Sequence, residues 1–321
     1  MNKSNPWEDL PKSGRQGYFS TLKVGEELNP LRIDVRWAIS SDGRRALLIG
    51  YKLGKWHSAC LPEFENMELY DSEEDQSLAL VLNDKNMLDM FFDICTDVIA
   101  CLQEVPDAQR REATILRLER WSLLLKPTRN RMSEEQQKGL IAELLFLKDD
   151  VLKELDEASA LQAWTGPLRD SRDFSFGNTF VEVKSKRNSS TTNISISSEN
   201  QLNTSESEEL FLYVVDIDRA PQDQGFCVAD IANETRNAIE SPIQRTILDS
   251  KLASVGYFDE DDYSATRWSH GVEYYYAVLD GFPRIDSKLC PPGVSRVSYH
   301  IDLDYCENFR VDRIQIVKST E

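Results

Sequence analysis

Histidine is scarce in the chain, and the three present, His57, His270 and His300, lie far apart and share no motif. They read as surface or core residues, and without an H-E-x-x-H pattern a zinc-dependent hydrolase is not expected. The six cysteines (Cys60, Cys95, Cys101, Cys227, Cys290 and Cys306) are scattered, with no C-x-x-C pair and no histidine at zinc spacing. They are expected to be buried thiols, neither a disulfide framework nor a metal site. There is no glycine-rich phosphate loop and no G-x-S-x-G elbow, which removes the P-loop and α/β-hydrolase chemistries. No apolar run approaches the ~18–20 residues that a bilayer-spanning helix needs. The opening MNKSNPWEDL has no apolar stretch after its lysine, so no secretory signal is expected and a soluble, cytoplasmic protein is. No internal repeat or low-complexity linker interrupts the chain.

What the sequence has in excess is acid. Its 321 residues carry a formal charge of −18, a global field that repels nucleic acid unless the charges are segregated. They are partly segregated. Residues 61–104 hold twelve acids and one base, a local net of −11. Residues 109–131 hold seven bases and two acids, a net of +5, and residues 165–190 five bases and three acids, a net of +2. Charge runs are ordinarily solvated faces. The arginines at 110, 111, 117, 120, 169, 172 and 187, with Lys186, are alternatively a track for a phosphate backbone.

Length predicts about two domains at roughly 150 residues each, and the pattern along the chain divides it into 1–130, 131–220 and 221–321. The first region is β-rich: 32–40 alternates in the strand period, Ser41-Asp-Gly43 turns the chain, and 45–51 pairs back. Two helices follow, over 83–103 with Asn83 or Asp84 as N-cap, and over 108–125, stopped by Pro127. In the second region Ser133-Glu-Glu-Gln136 is a capping box that opens a strongly apolar helix reaching Leu147. Strands are predicted at 172–176, 179–184 and 193–197, a short helix at 199–207, and a strand buried on both faces at 210–216. The third region is a mixed extension, with helices at 229–240 and 242–253 and strand-like pieces at 273–279 and 310–317. Trp121, Trp164 and Trp268 read as core residues.

The chemistry gathers on the hairpin. With Gly177-Asn178 as a two-residue turn, Phe176 faces Thr179, and counting outward sets Asp173 directly opposite Glu182. Like charges in that position are destabilising, and two carboxylates there invite a divalent cation. Lys184 lies two residues on and shares Glu182's face, while Val181 and Val183 point into a core. The Val183 carbonyl is a candidate third oxygen ligand. Hard oxygen ligands select Mg²⁺ or Mn²⁺, and a lysine beside them suits an attacking water and a charged phosphate. Together they point to metal-assisted phosphodiester hydrolysis. Glu143, a carboxylate inside an apolar helix, is either solvent-facing or a further metal-site acid. The plainer reading of Asp173, Glu182 and Lys184 is a surface hairpin with a cross-strand ion pair.

Asp173, eight intervening residues and Glu182-Val183-Lys184, within the order helix–strand–strand–strand–helix–strand, resemble the PD-(D/E)XK (restriction-endonuclease-like) nuclease superfamily. Arg172 stands where that motif has proline. The resemblance implies an α/β restriction-endonuclease-like αβββαβ core, in a chain that is α+β overall. It implies Glu143 as the extra helix acid and Gln201, in Ser197-Ser-Glu-Asn-Gln-Leu202, as a residue near the site. Arg117-Leu-Glu-Arg-Trp121 and Gly139-Leu-Ile-Ala-Glu-Leu, with the Glu-Val-Lys strand, look more narrowly like an uncharacterised bacterial family of PD-(D/E)XK motif proteins associated with restriction and phage defence. The implied function is a Mg²⁺-dependent DNA endonuclease, with Asp173, Glu182, Val183 and Glu143 at the metal and Lys184 positioning water. Cutting both strands would take a homodimer or a repeated encounter, and the acidic character suggests that a second copy or partner proteins of a defence or restriction operon supply much of the DNA affinity. The alternatives are a non-catalytic, partner-binding subunit of the same fold, or a nuclease directed at RNA.

Overall fold

A computed structural model of the chain describes residues 5–8, 10–12, 14, 19–51, 61–168, 172–187, 192–205, 207–285, 290–294 and 296–313. Cys60, His57 and Arg169 lie outside the described residues, as does 314–317 of the strand expected at 310–317. The chain divides into two compact units, Met1–Arg129 with Arg245–Ala253, and Asn130–Gln244 with Ser254–Glu321. Among the described residues no helix is long and apolar enough to cross a membrane.

The first unit is an antiparallel sheet backed by helices. Its strands β1 (Phe19–Lys23), β2 (Val35–Ser40), β3 (Arg45–Gly50), β4 (Met67–Ser72) and β5 (Ser77–Leu82) lie in the order β1-β2-β3-β5-β4. The β2–β3 hairpin forms because Gly43 takes a φ of +87°, a conformation a side chain would resist. Asp84 accepts from the Asn86 amide and starts the turn that leads into α1 (Leu88–Glu104). This helix buries Phe91, Ile94, Cys95, Val98, Ile99 and Leu102, the single stripe its 3.6-residue period provides. After Pro106 comes α2 (Arg110–Leu124).

Here the basic run takes on a different meaning from a phosphate track. Arg111 pairs with Asp71 at 2.5 Å, Arg117 with Asp97 at 2.6 Å and with Asp249 at 3.3 Å, and Arg110 with Asp107, while Arg120 is buried. Three of the α2 arginines are thus paired with acids of their own unit, Asp71 and Asp97 of the acidic 61–104 stretch among them.

The second unit carries the expected mixed architecture. Ser133 and Gln136 form the reciprocal capping box of α3 (Glu134–Phe146), with the Ser133 amide donating to Gln136 Oε1 at 2.9 Å. A π-turn at Leu147–Val151 continues α3 and leads to α4 (Leu152–Glu154), and Asp156 caps α5 (Glu157–Ala163). The π-turn directs Asp150 inward, where the Tyr275 hydroxyl donates to it at 3.0 Å and Arg313 pairs with it. Then follow β6 (Phe174–Phe176), β7 (Thr179–Lys186), β8 (Asn193–Ile196), β9 (Glu209–Arg219), α6 (Val228–Asn237), α7 (Pro242–Ser254, whose residues 245–253 belong to the first unit), β10 (Trp268–Ala277) and β11 (Tyr299–Asp302). The main sheet is mixed, in the order β10-β9-β7-β6, with β7 and β9 parallel. Residues 210–217 of β9 are all buried, as a central strand covered on both faces requires. Phe146 of α3 packs at 4.9 Å on Phe174 and at 5.0 Å on Tyr213.

Two details depart from the expected order of elements. The third strand, β8, does not join β7; it pairs with β11 in a separate two-stranded sheet. β9 pairs along the whole of β7 and β6 along its first three residues, while β8 packs through Ile194 and Ile196 in a cluster with Leu212 and Val214. The stretch 199–207 forms turns, not a helix, in its described residues. Ser198 Oγ accepts from the Asn200 amide and Gln201 Oε1 from the Ser197 amide, local bonds that compete with a helix.

Candidate active site

The β6–β7 hairpin sets the site by its register. Phe176 faces Thr179, Ser175 faces Phe180 and Phe174 faces Val181, so the next step outward brings Asp173 to Glu182. The ladder stops there because Asp173 turns its carboxylate onto the opposite strand, where Oδ2 accepts the Val183 amide at 2.7 Å. The Asp173 carbonyl in turn accepts from the amides of Thr165 and Gly166, at 2.8 and 2.9 Å. Side chain and main chain of this acid are therefore both fixed.

Glu182 is fully buried. Its Oε1 pairs with the Lys184 ammonium, the neighbour two residues on, and its Oε2 has no hydrogen-bond partner. Glu143, on the last turn of α3, receives the Trp164 indole N–H at 2.7 Å on Oε2. A Cβ placed on Gly166 would lie 2.9 Å from that Glu143 oxygen and 3.2 Å from Asp173 Oδ1. Two carboxylates from different elements thus crowd the same spot, and only glycine leaves room for both.

The electrostatics follow from this crowding. Burial, and then the charge of Asp173, pushes the Glu182 carboxyl up to about 8. Burial also raises Asp173, against the pull of Lys184 and the Val183 amide. Glu143 lies well above the carboxylate range through burial and the Asp173 charge. The Lys184 ammonium is held protonated: Glu182, Asp173 and Glu143 outweigh the desolvation that acts against it. Fully ionised, three carboxylates and one ammonium carry a net charge of −2, which a buried site does not sustain alone. Either protons or a divalent cation must balance it.

Among the described residues no three His, Cys, Asp or Glu side chains are already gathered as metal ligands. The donor set nevertheless fits a hard cation: all its side-chain ligands are carboxylate oxygens, one of them buried without a partner.

Sequence reasoning thus placed Asp173, Glu182, Lys184 and Glu143, and the structure brings these four together. Val183 contributes its amide to Asp173. Gln201 is not drawn in by any of its described bonds; its Oε1 accepts from Ser197 N and Oγ at 2.9 and 3.0 Å. Arg172 is buried over the Phe180 ring, 4.3 Å from its centroid, and Lys186 pairs with buried Asp216 at 2.5 Å, so neither extends a free basic track. The residues that sequence reading passed over are Trp164, which read as core, and Gly166. The one available signal was that both follow α5 within the span between the helix acid and the hairpin.

Trp164→Phe removes the donor to Glu143 while keeping an aromatic core. It is expected to cost about 1–3 kcal/mol of stability, the penalty for a buried acceptor left unpaired. Urea denaturation at pH 7.5 measures it.

A model of the family described as "Putative PD-(D/E)XK family member, (DUF4420)" matches residues 3–304. No curated protein and no solved structure matches the chain.

Proposed function

Since the chain belongs to this DUF4420 family of PD-(D/E)XK proteins, we propose that it is a Mg²⁺-dependent DNA endonuclease acting in the cytoplasm as part of a bacterial restriction or anti-phage system. The observation that carries the reading is the buried Glu182–Lys184 pair facing Asp173, with one Glu182 oxygen unpartnered. A buried surface-type ion pair would satisfy that oxygen; a ligand site leaves it open.

Asp173, Glu182 and the Val183 carbonyl would hold the metal, with Glu143 assisting. Once bound, a divalent cation supplies Lewis acidity and an acidified water. The chain's own groups do the remainder. Lys184 hydrogen-bonds a water beside Glu182 and sets a positive charge against the phosphate oxygens. Trp164 keeps a Glu143 oxygen aimed at the cluster through its 2.7 Å bond. The Val183 amide holds Asp173 against recoil from Glu182.

Cutting both strands of a duplex requires two such sites, supplied by a homodimer or by a second encounter. The paired arginines of α2 leave little free cationic surface there, which favours partner proteins as the source of DNA affinity. It is also the observation behind the second reading, a non-catalytic subunit that docks partners.

The deciding experiment is nicking of supercoiled plasmid by the wild type and Asp173→Ala, in Mg²⁺, in Mn²⁺ and in EDTA. Wild-type nicking confined to the metal lanes and absent from the variant is the expected result. Nicking that survives in the variant or in EDTA sinks this site. No nicking at all, with stabilisation by Mn²⁺ preserved, favours the docking subunit.

A further inference from the structure

A cavity of about 350 Å³ in the second unit is lined at once by Glu143 and Gly166, the pair that touches the acid cluster, and by the apolar side chains of Met132, Leu140, Pro167 and Val255. Resting on the nuclease reading, we propose that this pocket receives the nucleoside unit, sugar and base, next to the scissile phosphate.

The case is one of continuity and charge. A phosphodiester whose phosphorus lies at the acids must place its flanking nucleoside in the adjoining space, and Glu143 and Gly166 belong to both places. Among the described residues no lysine or arginine lines the cavity, so its described wall offers a second phosphate no counter-charge. Apolar walls suit the faces of a sugar and a base. One polar feature is available for recognition. Gln136 lines the pocket, and its carbonyl oxygen is engaged by the Ser133 amide, which leaves its carboxamide N–H groups to meet an acceptor on the base edge. Among the described residues no aromatic ring lines the pocket, so selection rests on shape and that donor, with no stacking partner in the described wall.

Gly139 offers a direct test. It sits on α3 in the wall of the cavity, and a Cβ added to it meets nothing within 4 Å. Leucine or phenylalanine there would grow into the pocket one helical turn before Glu143, its neighbour on the same face of α3, so a retained Mn²⁺ shift is the control that the acids stay in place. The measurement is thermal shift of the full chain in Mn²⁺ at pH 7.5, with each deoxynucleoside 5′-monophosphate compared with inorganic phosphate. The wild type is expected to be stabilised more by at least one nucleotide than by phosphate. Gly139→Leu and Gly139→Phe are expected to respond to both alike while keeping their Mn²⁺ shift, and to cut with kcat/KM lowered about tenfold or more through KM.

Equal shifts by nucleotide and phosphate in the wild type overturn the proposal, as does an undiminished nucleotide increment in a folded Leu or Phe variant. Plasmid nicking separates the two readings. A wild type that nicks but shows no nucleotide increment loses the pocket alone. A nucleotide increment in a protein that never nicks keeps the pocket and removes the nuclease.

Discussion

Lys184→Met is expected to abolish metal-dependent nicking, a loss of roughly 10²–10⁴-fold if the ammonium aligns and activates the water, while the fold and the stabilisation by Mn²⁺ survive. Methionine keeps most of the unbranched stem that lies beside Glu182 and deletes only the charge. The ammonium balances part of the acid charge, so its loss leaves more negative charge for a cation to offset. The Mn²⁺-induced rise in Tm should therefore be at least as large in the variant as in the wild type. That combination separates a catalytic lysine from a structural one. A structural ion pair predicts a lower Tm, no dependence on metal, and nicking in proportion to the folded fraction. Nicking at the wild-type rate by the methionine variant removes Lys184 from the mechanism.

The second large effect is in pH. Burial, and then the charge of Asp173, pushes the Glu182 carboxyl up to about 8, and burial raises Asp173 and Glu143 as well. A carboxyl whose folded value exceeds its unfolded one stabilises the fold below the unfolded value and loses that contribution as pH rises through the folded one. The metal-free protein is thus expected to lose stability from pH 5 to pH 8.5. Asp150, pushed up to about 6 mainly by its burial, contributes the lower part of that fall and Glu182 the upper part. Mn²⁺ acts in the opposite sense, because it must displace the protons. Its affinity should rise up to about tenfold per pH unit for each proton displaced, so the Mn²⁺ shift grows over the range where the metal-free fold weakens. Glu182→Gln is the control: it should flatten the upper part of the metal-free profile and cancel most of the Mn²⁺ shift. A wild-type Mn²⁺ shift that stays constant from pH 6 to pH 8.5 contradicts the assignment.

How much of this was legible beforehand depends on the range of the interactions. A two-residue turn leaves one register, so the opposition of Asp173 and Glu182 could be counted from Gly177-Asn178. The capping box of α3 and the buried run of β9 are likewise local patterns that local physics decides. Contacts between distant segments were not readable. Trp164 reaches Glu143 across 21 residues, and β8 finds β11 more than 100 residues on. Nothing in the composition of either segment marks the other as its partner. The ion pairs of the α2 arginines were not readable for the same reason: a run of one sign looks free until its counter-ions, here Asp71, Asp97 and Asp249, are located in space.

The position of β7 between β6 and β9 has an evolutionary consequence. Alternate residues of a strand face opposite ways, so a shift of β6–β7 by a single residue would turn Glu182 and Lys184 toward α3 and present valines to the substrate. The parallel partner β9 anchors β7 along eight consecutive pairs, from Thr179 to Lys186, and leaves it no compensating slide. The length of the turn at 177–178 therefore sets which face carries the acids, and the φ of +65° at Gly177 ties its first letter to glycine as well. An insertion or deletion there is expected to move the chemistry off its face, whereas a substitution elsewhere in the hairpin leaves the register intact.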